Sequence, residues 1–193
     1  KFANGRINFW EDHYFRLMSS MRIVRMEIPL SFSPEFLEDQ IRLTLQANDL
    51  IEEAARIRFL VYRKEGGLYT PDGNDVEYVI TAQKMENQNY ILNQNGLVVD
   101  VFKDFYKQKN LLSNLKSSSA QFYTVASIFR KENGLDECIL LNDDKSVCEA
   151  ISANVFIVKG EEAITPPLSD GCLKGVMRKN VITILKRLGY KVV

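Results

Sequence analysis

Histidine is almost missing from this chain, with His13 the single one in 193 residues, and cysteine is scarce, at Cys138, Cys148 and Cys172. Three cysteines without metal-ligand spacing and a lone histidine build no zinc cluster, so no metal site is expected and the thiols read as reduced core residues. Net charge is missing too: Lys plus Arg and Asp plus Glu each total 25. That balance leaves no global basic field to recruit nucleic acid or an anionic membrane. No apolar run is long enough to span a bilayer, and no signal-peptide pattern opens the chain, which together give a cytoplasmic expectation. There is no internal repeat and no low-complexity tract. An initiator Met is also lacking, and "RLGYKVV" ends the chain like the entry to a strand, so the expectation is a chain incomplete at both ends.

What is present is a globular composition, 46% hydrophobic and 26% charged, sufficient to bury a substantial core. Trp10, Tyr14, Leu17, Met21 and Val24 recur at helical spacing, with His13 and Arg16 off that stripe. "SPEFLEDQIRLTLQAN" predicts a second helix, with Ser33 as N-cap and Pro34 at the first helical position. "ARIRFLVYR" and "DVEYVITAQ" read as strands of a mainly antiparallel sheet, and Asn95-Gly96 signals another turn before "LVVDVF". The polar stretch "KDFYKQKN" then thins the apolar signal and suggests a domain boundary between residues 103 and 113, giving domains 1–107 and 108–193. Beyond it, "SSSAQFYTVASIFRKENG" predicts a helix with Lys116 just before it. Two hairpins follow, around "NDDK" and "GEE", and then a helix opened by Gly175.

Three features could carry chemistry. Lys116 stands among serines, and both the positive end of a following helix and burial at a domain junction disfavour an ammonium and so favour a nucleophilic amine. Taken alone, it reads more readily as a solvated surface cation. Gly175 followed by free backbone N–H groups is a common way to hold a phosphate, and Arg178 and Lys179 in that first turn would then face an anion. A turn glycine with two solvated cations is the blander alternative. Glu149, in the apolar "SVCEAISANVF", needs a partner if buried, for which a nearby Arg is favoured over a cationic ring nitrogen. Arg16, four residues after Asp12, reads by itself as part of a helix-surface ion pair. As a set, these charge types match the demands of pyridoxal phosphate.

The order of motifs then decides. "FWEDHYFRL", "NLKSSSAQF" and the run from "DECILL" through "EAISANVF", "TPPL" and "LKGVMR" resemble the fold-type IV pyridoxal-phosphate enzymes, the class IV aminotransferase family. That family includes branched-chain and D-amino-acid aminotransferases and aminodeoxychorismate lyases. The resemblance covers essentially the whole chain and is strongest from Lys116 onward. It implies two α/β domains (α+β in character) with the cofactor between them, and a homodimer. It also implies that Lys116 bonds the cofactor and shuttles a proton at the substrate α-carbon, and that Glu149 holds the ring nitrogen protonated. Arg16, with the backbone N–H groups of Val176 and Met177, would hold the phosphate, and Ala153 and Asn154 would lie at the cofactor edge.

Two departures bear on the substrate. Met177 stands where many members have a phosphate-binding Thr, as in the lyase branch. Gln121 stands where branched-chain aminotransferases usually have Tyr. The expected reaction is amino-group transfer between an amino acid, branched-chain included, and a 2-oxo acid. The alternatives are pyruvate elimination from aminodeoxychorismate, and a non-catalytic binding module of the same fold.

Overall fold

The computed structural model describes all 193 residues. They form a mixed α/β chain of two compact units, Lys1–Leu92 and Asn93–Val193.

The first unit carries α1 (Trp10–Ile23) and α2 (Pro34–Ala47) with a four-stranded sheet. Its strands are β1 (Phe2–Ala3), β2 (Arg6–Ile7), β3 (Ala55–Arg63) and β4 (Val76–Lys84), in the order β2-β1-β3-β4. The helix over Pro34–Ala47 starts where the sequence says it should: the Ser33 side chain accepts from the Phe36 N–H at 3.1 Å, and Pro34 opens the first turn. Its apolar face buries Leu37, Ile41 and Leu45 completely or nearly so. Ile41 and Leu45 meet Phe2 and Ala55, while Leu37 joins Met18, Met21 and Phe32. β3 and β4 form one uninterrupted antiparallel ladder from Ala55 opposite Lys84 to Arg63 opposite Val76.

In the second unit β5 (Val99–Lys107), β6 (Glu137–Asn142) and β7 (Val147–Ala150) make a sheet in that order. α3 (Gln121–Glu132) packs on it through Ala126, Phe122 and Phe129 against Phe102, Cys138 and Leu140. A second sheet joins β8 (Ile157–Lys159), β9 (Glu162–Ile164) and β10 (Lys191–Val192), the last pairing in parallel with β9 after α4 (Val176–Arg187).

Three expectations change. β5 does not extend the antiparallel sheet of the first unit; it pairs in parallel with β6, Phe102 opposite Leu140. The boundary expected at 103 to 113 therefore falls inside the second unit, and the break lies at Leu92/Asn93. The cause is legible in the burial of β5, where only Phe102 and Lys107 are buried and the rest looks like linker composition. α3 starts at Gln121 rather than at the serines, with Ala120 as a cap that offers no side-chain acceptor. No helix is long and apolar enough to cross a membrane.

Candidate active site

Residues 115 to 120 run as irregular backbone between a short 3-10 turn (Leu111–Asn114) and α3. The turn is fixed at its start by Asn110, whose side chain accepts from the Leu112 and Ser113 N–H groups. Its end is fixed by Asn114. The Asn114 side-chain amide donates to the carbonyls of Leu168 and Cys172, and the Asn114 backbone carbonyl accepts from the Lys174 N–H. The loop carrying Lys116 is thus stitched to the segment that leads into α4.

Lys116 itself is exposed and makes no hydrogen bond or ion pair, in keeping with its reading, taken alone, as a solvated cation. It lines a cavity of about 220 Å³ together with Glu149, Ala153, Asn154, Tyr123, Leu173 and a second lysine, Lys107. Four of the sequence-selected residues, Lys116, Glu149, Ala153 and Asn154, are therefore brought to one place. All belong to the second unit.

Glu149 is 3% exposed, and its charge is answered by a cation, though by Lys107 rather than by an arginine. Oε1 accepts from Lys107 Nζ and, at 2.6 Å, from the Tyr123 hydroxyl; Oε2 accepts from the Leu173 N–H at 2.7 Å. Three of about four acceptor positions on the carboxylate are used, so one remains on Oε2. Lys107 Nζ also donates to the Ser113 carbonyl at 3.1 Å and lies 5.3 Å from the Tyr123 ring. Burial, reinforced by the bond to Glu149, raises the Tyr123 pKa, and burial pushes Cys148 up to about 12.

Val176 and Met177 stand in the first turn of α4, outside the residues lining the cavity. Val176 is 6% exposed and Met177 45%. Their N–H groups have no intrahelical acceptor, as at any helix start. Gly175, just before them, has no room for a side chain: a Cβ there would meet Asn154 Oδ1 at 2.1 Å. Asn154 is held in that place by its Nδ2 donation to the Leu173 carbonyl at 3.0 Å. Arg178 points back to the "TPPL" segment, donating to the Pro166 carbonyl at 2.9 Å, rather than standing as a solvated cation.

Arg16 lies on α1 of the first unit. Its Nη2 donates to His13 Nδ1 at 3.3 Å, which requires a neutral ring. Burial first, and then the Arg16 charge, lower the His13 pKa to about 4. Burial also lowers that of Arg16, which nonetheless stays a cation.

The sequence reading passed over Lys107 and Tyr123. Lys107 sits in a stretch with no apolar pattern, and its partner is 42 residues away. Tyr123 carries no local signal beyond its place next to the core residue Phe122.

A comparison with known families matches the whole chain, residues 1–193, to amino-transferase class IV. The chain belongs to the class IV aminotransferases. A probable branched-chain-amino-acid aminotransferase of Aquifex aeolicus is 32% identical over 185 residues, 94% of this chain and 58% of that protein. An aminodeoxychorismate lyase of Vibrio harveyi is 25% identical over 194 residues, all of this chain and 69% of that protein. Among solved structures, the branched-chain aminotransferase of the thermophilic archaeon Thermoproteus uzoniensis, crystallised with norvaline, superposes with a TM-score of 0.82 at 27% identity. It covers 95% of this chain, which spans 61% of that one. Against the Aquifex and Thermoproteus proteins, the class IV chain described here is thus about three fifths of the length.

Proposed function

We propose that the chain is the cofactor-carrying portion of a pyridoxal-phosphate-dependent aminotransferase that moves an amino group between an amino acid and a 2-oxo acid. The observation that supports it best is the pairing, in one cavity, of an unengaged lysine amine and a buried carboxylate with one acceptor position left. The donor set suits the cofactor. Lys116 would take its aldehyde, Glu149 its ring nitrogen, and Ala153 and Asn154 would lie along its edge. The N–H groups of Val176 and Met177 would hold its phosphate, a role the family resemblance also implies for Arg16. When bound, pyridoxal phosphate supplies an electron sink for the pair left at the substrate α-carbon. Lys116, once released, would take the α-proton and return it elsewhere along the same carbon–nitrogen system. Glu149 would keep a positive charge on the ring side of the cavity. The names of the Aquifex and Thermoproteus relatives favour branched-chain substrates. Free, buried cysteines suit a cytoplasmic protein, and the family resemblance favours a homodimer.

A second reading is the lyase, which eliminates pyruvate without a 2-oxo acceptor. The Vibrio relative and Met177 in "GVMR" favour it. One assay separates them. The full-length protein loaded with pyridoxal phosphate is given each amino acid in turn, then aminodeoxychorismate, and 2-oxo acid and pyruvate are measured. Amino-acid-dependent 2-oxo acid supports the transferase; pyruvate from aminodeoxychorismate alone supports the lyase and overturns the first reading.

A further inference from the structure

We propose that Lys107 is a positioning residue of this site, an internal counter-ion that already balances Glu149 and so weakens the hold of that carboxylate on a proton at the cofactor ring nitrogen. The proposal rests on the reading of Glu149 as the ring-nitrogen partner.

Lys107 closes β5 and is 8% exposed, while Glu149 on β7 is 3% exposed. A buried carboxylate without a cation is costly, and a buried ammonium equally so; here each answers the other. The ammonium cannot swing away freely, because the Ser113 carbonyl holds it from the other side at 3.1 Å. The remaining groups around the pair do not change the balance. Tyr123 from α3, Cys148 from β7 and Cys172 ahead of α4 are all pushed upward by burial and stay neutral. Asp170 and Arg178 act on Cys172 with opposite signs. Lys116 is the other cation lining the cavity, and it is exposed.

With one carboxylate and one fixed ammonium, the inner wall is neutral before any cofactor arrives. A protonated ring nitrogen at the open Oε2 position would be a second cation against a carboxylate whose charge is shared. Like charges several ångströms apart in a partly solvated interior oppose each other by about one to two pH units. Lys107 thus sets how strongly the ring draws electrons, without touching substrate. It also holds Glu149 aimed at the cavity when the cofactor is absent.

The test is the 15N resonance of pyridoxal phosphate labelled at its ring nitrogen, followed against pH in the full-length protein. Lys107→Met should move the midpoint of ring-nitrogen deprotonation upward by about one to two pH units. Lys107→Gln, which keeps a hydrogen-bond donor without the charge, should do the same and serves if the methionine variant does not fold. Lys107→Arg should restore the wild-type midpoint, and Glu149→Gln should lower it. A midpoint lowered by Glu149→Gln but unmoved by both neutral Lys107 variants would overturn the role of Lys107 alone. A nitrogen that ignores Glu149→Gln would overturn the Glu149 reading and this proposal with it. So would a wild-type nitrogen still protonated at the highest pH the fold survives.

Discussion

Gly175 offers a substitution whose sign should depend on one neighbour. Its backbone, φ −70° and ψ 134°, suits alanine as well as glycine. The obstacle is only the side chain of Asn154, whose Oδ1 lies 2.1 Å from where the Cβ would stand; the next atom, Arg178 Cβ, is 3.3 Å away. Asn154 must therefore turn out, and its bond to the Leu173 carbonyl at 3.0 Å is lost. A lost hydrogen bond with its acceptor left half-buried costs about 1–3 kcal/mol. Replacing glycine in a compatible conformation offsets about 0.4–1 kcal/mol of this through the unfolded chain. Gly175→Ala should then destabilise by about 0.5–2 kcal/mol. In an Asn154→Ala background both the clash and the bond are already gone, and the same change should be neutral or stabilising by up to about 1 kcal/mol. Equilibrium urea unfolding of the four full-length proteins, without added cofactor, measures the cycle. Equal destabilisation by Gly175→Ala in both backgrounds would refute the contact with Asn154 as the reason position 175 is glycine.

Tyr123→Phe removes the hydroxyl that donates to the buried Glu149 carboxylate at 2.6 Å and should cost about 1.5–2 kcal/mol of stability, read as a lower urea midpoint with unchanged slope. Phe102→Ala empties the position around which Phe122 and Phe129 pack edge-on and should cost about 3–5 kcal/mol in the same assay. His13 gives a pH dependence. Its folded pKa is depressed to about 4 from 6.5, so the unfolded chain binds the proton more readily. Its contribution is full above pH 6.5 and is lost as pH falls toward 4. The ring is part-exposed, which discounts the full linkage of about 3 kcal/mol to about 1 kcal/mol. Urea midpoints at pH 7 and pH 4.5, compared with His13→Gln, check it; an identical acid loss in the variant would assign that loss to other groups.

How much of this was legible in the sequence follows the range of the interactions. The helix over Pro34–Ala47 was fixed by Ser33, Pro34 and an apolar face, all local, and it forms as read. The two hairpins after α3 were likewise signalled by their turns. The start of α3 was not, because Ser117 to Ser119 and Ala120 neither cap it nor continue its apolar stripe. The pairing of β5 was hidden by its exposed positions, since only Phe102 and Lys107 turn inward, and its partner lies beyond α3. In the cavity, the apolar neighbours of Glu149 announced its burial correctly. The identity of its partner did not follow, because Lys107 is brought to it by the parallel pairing of β5 with β6, a contact no local pattern encodes. The exposure of Lys116 agrees with its reading, taken alone, as a solvated cation; α3 begins five residues after it, at Gln121.

The most direct test uses the two lysines that line one cavity. Lys107 is buried and tied to Glu149 and Ser113, whereas Lys116 is exposed and unengaged. The full-length protein is loaded with pyridoxal phosphate, reduced with borohydride, digested and weighed by mass spectrometry. The account predicts a phosphopyridoxyl mass on the peptide containing Lys116 and none in Lys116→Ala. A label on Lys107, or a label that survives Lys116→Ala unchanged, would contradict it.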